Sequence, residues 1–141
     1  MLVGFSFSAN AQRDLYTDAS LFLHNNNLDS AKALIEQAIN DSDYVNEPDT
    51  WYLRGFIYKT IYNLNEKTNL QSPARMVALN SFKHSISIDT SASSVKETKK
   101  SIAYILTTFF NNAVTNLDSI VNYHDTTGFK RAIENLSLIH I

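Results

Sequence analysis

Residues 48–62 read Pro48-Asp49-Thr50-Trp51-Tyr52-Leu53-Arg54-Gly55-Phe56-Ile57-Tyr58-Lys59-Thr60-Ile61-Tyr62. A proline at the head of the run forfeits an N–H that a helix start leaves unpaired in any case. Trp51, Gly55, Tyr58 and Tyr62 then follow at intervals of three and four, the spacing of one helix face. The start signal repeats at Ser72-Pro73, and behind it Ala78, Leu79, Phe82 and Ile86 make a second helical stripe. Small Gly55 and Ala78 let two backbones approach, while Trp51, Tyr58 and Phe82 fill the space between them. The stretch predicts a hairpin of two closely packed helices.

The same periodicity extends outward in both directions. A helix over residues 13–25 carries Leu15, Ala19 and Phe22 on one stripe and ends in Asn25-Asn26-Asn27. A second follows at once, with Asp29 as its expected N-cap, Ala31, Ile35 and Ala38 as its inner stripe, and a polar run over residues 40–47 to close it. Beyond the central hairpin, a fourth-helix stop is expected over residues 89–94. A long fifth helix over residues 94–122 places Val95, Ile102, Leu106, Phe109, Ala113, Leu117 and Ile120 on one face. Gly128 and Phe129 open a sixth.

Composition agrees with an all-α class. The chain has 141 residues, 44% of them hydrophobic, which suffices for one domain with a core of its own. Three glycines and two prolines are too few for a sandwich or barrel with many tight turns. Twelve basic against fourteen acidic side chains give a formal charge of -2, so no overall basic field exists to hold nucleic acid. With no cysteine, disulfides, thiolate metal sites and a cysteine nucleophile are excluded.

Through Trp51, Gly55 and Tyr58, followed by Ala78 and Phe82, the chain resembles the tetratricopeptide repeat, whose signature sets Trp, Gly and Tyr at these spacings before Ala-x-x-x-Phe on the paired helix. The first pair is similar more loosely, through Leu15, Ala19 and Phe22 and then Ala31, Ile35 and Ala38. The third retains Ala113 and a Gly128-Phe129 start with Ala132. The resemblance covers residues 12–135 and implies antiparallel helix pairs stacked as a short right-handed α-solenoid of five to six helices. It also implies that the first helix of each pair lines a concave groove for a protein or peptide. Carried onto this chain, the groove positions are Tyr16, Ser20, Leu23, Tyr52, Phe56 and Lys59. Tyr52 and Phe56 would form an exposed aromatic ledge there, or else belong to the core.

The departures from the repeat are specific. Ala31, Ala78 and Ala132 lie 47 and 54 residues apart where the family period is about 34. The interval from Tyr58 to Ala78 is twenty residues, eleven more than the family's nine; a turn added to each helix and a loop over residues 64–71 would absorb the excess. Arg54 stands where the family has leucine, and Thr90 where it has proline.

Both ends read differently from the middle. Residues 1–11 are apolar and uncharged, and Ala9-Asn10-Ala11 is a small-x-small cleavage pattern. They are expected to be a signal-peptide remnant removed after Ala11, making the protein exported, periplasmic or extracellular. The final six residues, Leu136-Ser137-Leu138-Ile139-His140-Ile141, resemble the in-frame translation of a transposase-end adaptor, and the natural chain is expected to continue beyond Asn135. No stable membrane insertion is expected, since the longest other apolar stretch, residues 102–110, is broken by Thr107 and Thr108 and falls far short of ~20 residues.

Chemistry-bearing patterns are sparse. His24, His84 and His124 include no pair at the i, i+4 spacing of a helical metal site. Asp41, Asp43, Glu47 and Asp49 crowd one turn but lack the glycine and terminal glutamate of a calcium loop, so a solvated acidic turn is expected. The run Lys96-Glu97-Thr98-Lys99-Lys100 reads as a solvated face. Phosphate-binding glycine loops and nucleophile elbows are absent, and no enzyme, metal or cofactor is expected. The functional expectation is a non-catalytic exported scaffold that binds a protein or peptide. The alternative is the sensor or ligand-binding domain of a longer signalling protein.

Overall fold

The computed structural model describes residues 14–91, 95–123 and 127–137. Residues 1–13, on which the signal-peptide expectation falls, lie outside these, as do His124 and residues 138–141. The chain is all-helical, with six α-helices and no strand among the described residues. They are α1 (Leu15–His24), α2 (Leu28–Ala38), α3 (Pro48–Ile61), α4 (Pro73–Ile88), α5 (Val95–Tyr123) and α6 (Thr127–Ser137). A π-helical turn, Tyr62–Glu66, continues α3. Part of the loop expected over residues 64–71 is therefore helical.

Local chemistry sets these ends. Asp14 caps α1, its Oδ1 accepting from the Tyr16 and Thr17 N–H groups at 3.1 Å. At the other end Asn26 adopts φ 61°, a left-handed conformation that asparagine tolerates. That bend lets the Asn27 N–H reach the Phe22 carbonyl and the Asn26 N–H reach the Leu23 carbonyl, closing the helix. Asn27 then caps α2 by accepting from the Ser30 N–H, two residues before the expected Asp29, which sits in the first turn. Pro48 and Pro73 both occupy helix starts, as their missing N–H groups allow.

Each helix packs on its neighbour in sequence; in addition α1 touches α3, and α3 touches α5. Two apolar clusters result, with α3 as the wall between them. The first gathers Ala19, Ala31, Leu34, Ile35 and Ala38 around Leu53 and Ile57 of α3. The second gathers Ala78, Leu79, Phe82, Ile105 and Phe109 around Tyr58 and Tyr62. At Gly55 the α3 backbone lies so close to the Phe82 ring that an added Cβ would stand 2.6 Å from its Cδ1.

Arg54 ties three helices together. Its Nε and Nη2 donate to the two carboxylate oxygens of Glu36 on α2, at 2.9 and 3.3 Å, while Nη1 donates to Ser81 Oγ on α4 at 2.7 Å.

Two expectations about packing need correction. Trp51 does not fill the interhelical core; it is half-buried, with its ring edge-on to His84 at 4.2 Å and its Nε1 donating to the Val45 carbonyl at 2.7 Å. An indole N–H that finds its partner in the loop before α3 holds the ring at the margin. The inward face of α5 also differs. Phe109 and Ala113 are buried, but Ile105, Thr98, Ser101 and Asn116 take the other inward positions and Leu117 is exposed. Apolar residues surround much of α5, so periodicity did not select a face, and contacts with α3 and α4 did. Helix α6 buries Gly128, Ala132 and Asn135 and turns Phe129 and Ile133 outward.

Candidate functional site

The contacts of α1 with α3 and α3 with α5 gather four of the six groove positions on one side. Tyr16 and Tyr52 are both half-buried, and burial pushes both phenols up, with the Asp49 carboxylate adding to each. Tyr52 leans on Phe56 at a ring-centroid distance of 6.2 Å and on Phe82 at 6.0 Å. Lys59 lies above the Phe56 ring, with Nζ 4.3 Å from the centroid, and donates to Ser101 Oγ on α5 at 3.0 Å. Burial lowers the Lys59 pKa, opposed by Glu97. Tyr52 and Phe56 are thus neither a free ledge nor sealed core: they are half-buried and packed against the second cluster. Their outer edges, with Lys59 and Glu97, offer apolar surface beside one charge of each sign.

The remaining two groove positions part company. Ser20 is exposed, while Leu23 packs against the first cluster, helping to hold α1 on α2. A shallow concavity of about 270 Å³ opens where α1 meets the loop before α3, lined by Asp14, Tyr16, Asp43, Tyr44, Glu47 and Asp49 among others. The Tyr44 hydroxyl donates to Asp14 Oδ1 there at 3.2 Å. Among the described residues no three metal-ligating side chains converge, and no helix is long and apolar enough to cross a membrane. In the basic run, Lys100 pairs with Glu97 at 2.7 Å on the surface, but Thr98 is buried.

A second feature escaped the sequence reading. Arg75, in the first turn of α4, is 1% exposed. Its guanidinium carbon lies 4.3 Å from the Phe109 ring centroid and 5.2 Å from that of Tyr62. Nη2 donates to the Leu70 carbonyl. With the Asn112 amide oriented to present its oxygen, both terminal nitrogens also donate to it, at 2.7 and 3.0 Å. Nε has no partner, and no carboxylate pairs with this cation among the described residues. Burial lowers its pKa, opposed by the Tyr62 hydroxyl. Beside it a cavity of about 220 Å³ lies between the start of α4, α5 and α6, walled in part by Met76, Phe109, Asn116, Arg131 and Glu134. Asn116 is 4% exposed, and its Nδ2 also lacks a partner. The sequence carried a signal for this site, because Arg75 stands on the stripe of Ala78, Leu79 and Phe82, where a charge has no business without a purpose.

No protein family, no curated protein and no solved structure matches the chain.

Proposed function

We propose that this chain is a non-catalytic, exported helical scaffold of the tetratricopeptide type, stacked as a right-handed solenoid, that holds a protein or peptide along the face built by α1, α3 and α5. The observation that carries the reading is the contact pattern. The first helices of successive pairs touch one another, α1 to α3 and α3 to α5, while α2 and α4 do not. Such an arrangement supports a stack of pairs with one narrow side, because only the odd-numbered helices share that side. On it, the half-buried Tyr16, Tyr52 and Phe56 supply rigid aromatic area, and Lys59 and Glu97 supply polar grip.

Random peptides displayed on phage and selected on the whole chain provide the test. Peptides bound on this face should bind Tyr52→Ala roughly tenfold or more weakly, in line with loss of an aromatic anchor, and should be blocked by Ser20→Arg. Circular dichroism should report an unchanged helix content for both variants. Peptides indifferent to both changes would place recognition elsewhere and end this reading. Export is tested by intact mass after secretion with a complete signal, where the mature chain should begin at Gln12.

A further inference from the structure

We propose that the cavity beside Arg75 is a binding site for a small carboxylate with a short apolar body. This inference does not depend on the peptide-binding reading, since the cavity is lined from α4, α5 and α6 rather than from the face of α1, α3 and α5.

The starting point is a charge out of place. A buried cation ordinarily has a carboxylate partner, because desolvation costs several kcal/mol that neutral dipoles offset only in part. Arg75 has two carbonyl acceptors and two aromatic faces, and no anion. Two donors on residues that line this cavity, Arg75 Nε and Asn116 Nδ2, are left without a partner, and both residues are more than nine-tenths buried. Orphan donors on two buried side chains that line one cavity ask for an acceptor with two oxygens. A carboxylate presents two acceptor oxygens with a single charge, whereas a phosphate dianion would set a second negative charge against Glu134 at the rim.

The surroundings fit the same ligand. Arg131 on the exposed side of α6 adds a second guanidinium to the lining. Glu134 stands near it, but its carboxylate is drawn toward Lys130, 3.9 Å away. Ser72, the residue before α4, spends its hydroxyl on Glu66 at 2.6 Å and gives the helix start no side-chain cap, so the positive end of that helix also faces this region. Leu70, Met76 and Phe109 form an apolar wall. A cavity of about 220 Å³ exceeds the ~150 Å³ that holds a benzene ring, so an aromatic or short aliphatic tail has room behind the carboxylate.

The test titrates the whole chain with sodium benzoate, sodium hexanoate, sodium acetate, inorganic phosphate and neutral benzamide, following heat uptake and melting temperature. Benzoate or hexanoate should bind saturably and raise the melting temperature, acetate should bind more weakly, and phosphate and benzamide should do neither. Benzamide binding as well as benzoate would reduce the site to an apolar hole. Phosphate binding in preference, or no binding by any carboxylate, would overturn the proposal. Two variants locate the site. Asn116→Asp adds a carboxylate to the lining that Arg75 shares, so it should raise the melting temperature of the free protein and abolish the benzoate response. Arg131→Ala removes only an exposed charge and should weaken benzoate about tenfold with the free protein's melting temperature unchanged. Benzoate affinity untouched in Arg131→Ala would put the bound molecule elsewhere, whether or not Asn116→Asp folds.

Discussion

At Gly55 one added carbon would stand 2.6 Å from a Phe82 ring that has no exposed surface and nowhere to retreat. Alanine ordinarily gains about 1 kcal/mol over glycine inside a helix. Here the overlap outweighs it, so Gly55→Ala should be net destabilising, and Gly55→Leu should cost about 3 kcal/mol or more by chemical denaturation. An unchanged midpoint for the leucine variant would remove the reason for reading Gly55 as a packing residue. Three residues on, the Tyr58 phenol is pushed up to about 12 by burial and by its hydrogen bond to Glu36, against a weaker opposing pull from Arg54. A folded-state pKa above the unfolded one means that the unfolded chain releases this proton first. Stability should therefore be whole below the ordinary tyrosine range and decline as pH rises from there to about 12. Phenolate absorbance and denaturation across that window should show the decline, and Tyr58→Phe should flatten it.

Helix α3 owes its position to polar as well as apolar contacts. A leucine in place of Arg54 would please a hydrophobic-pattern argument, yet it would strip the Glu36 carboxylate and the buried Ser81 hydroxyl of a shared donor. Arg54→Leu should accordingly destabilise the hairpin, and a double-mutant cycle of Arg54→Gln with Glu36→Gln should give a coupling of about 1 kcal/mol, modest because Glu36 remains partly solvated. No coupling would make the contact incidental. The fate of individual elements explains what the sequence could reveal. Helix starts at Pro48 and Pro73 were legible because proline acts locally, and so was the Gly55–Phe82 approach, since small and large residues alternate across it. The inward face of α5 was not. Ile102, Ile105, Leu106, Phe109, Phe110 and Ala113 circle that helix, and its register was chosen by distant partners such as Lys59, which bonds Ser101 forty-two residues away. Of the expected groove positions, Tyr16, Tyr52, Phe56 and Lys59 lie on one side of the fold, as the spacing of the last three along α3 requires. Leu23 packs against the first cluster, since a leucine on a short amphipathic helix serves a core as readily as a surface. Arg75 was missed because a single charge on an apolar stripe announces burial only after its neighbours are known to close over it.

Across the molecule, stability is expected to fall from α3 toward α6. Helix α6 contributes Gly128, Ala132 and Asn135 to the interior and no large apolar side chain, whereas Phe129 is 58% exposed and Ile133 51% exposed. Amide hydrogens of α6 should exchange fastest among the helices and those of α3 slowest, as mass spectrometry after brief deuteration would show. Equal protection in the two would mean that α6 is held by more than its small residues. Phe129→Ser and Ile133→Ser should each cost less than about 1 kcal/mol, since both residues keep more than half of their surface in water. The wall formed by α3 has a consequence for how this chain could change over time. Leu53 and Ile57 answer to one cluster, Tyr58 and Tyr62 to the other, Gly55 to the Phe82 ring and Arg54 to both neighbouring helices. The helix as a whole is therefore under two sets of demands, so a shift of its axis that suits one neighbour offends the other, and such a shift requires paired changes on both sides. Variation should accumulate instead at exposed positions such as Leu21, Phe129 and Ile133, where a new side chain meets fewer packed neighbours while α3 stays as it is.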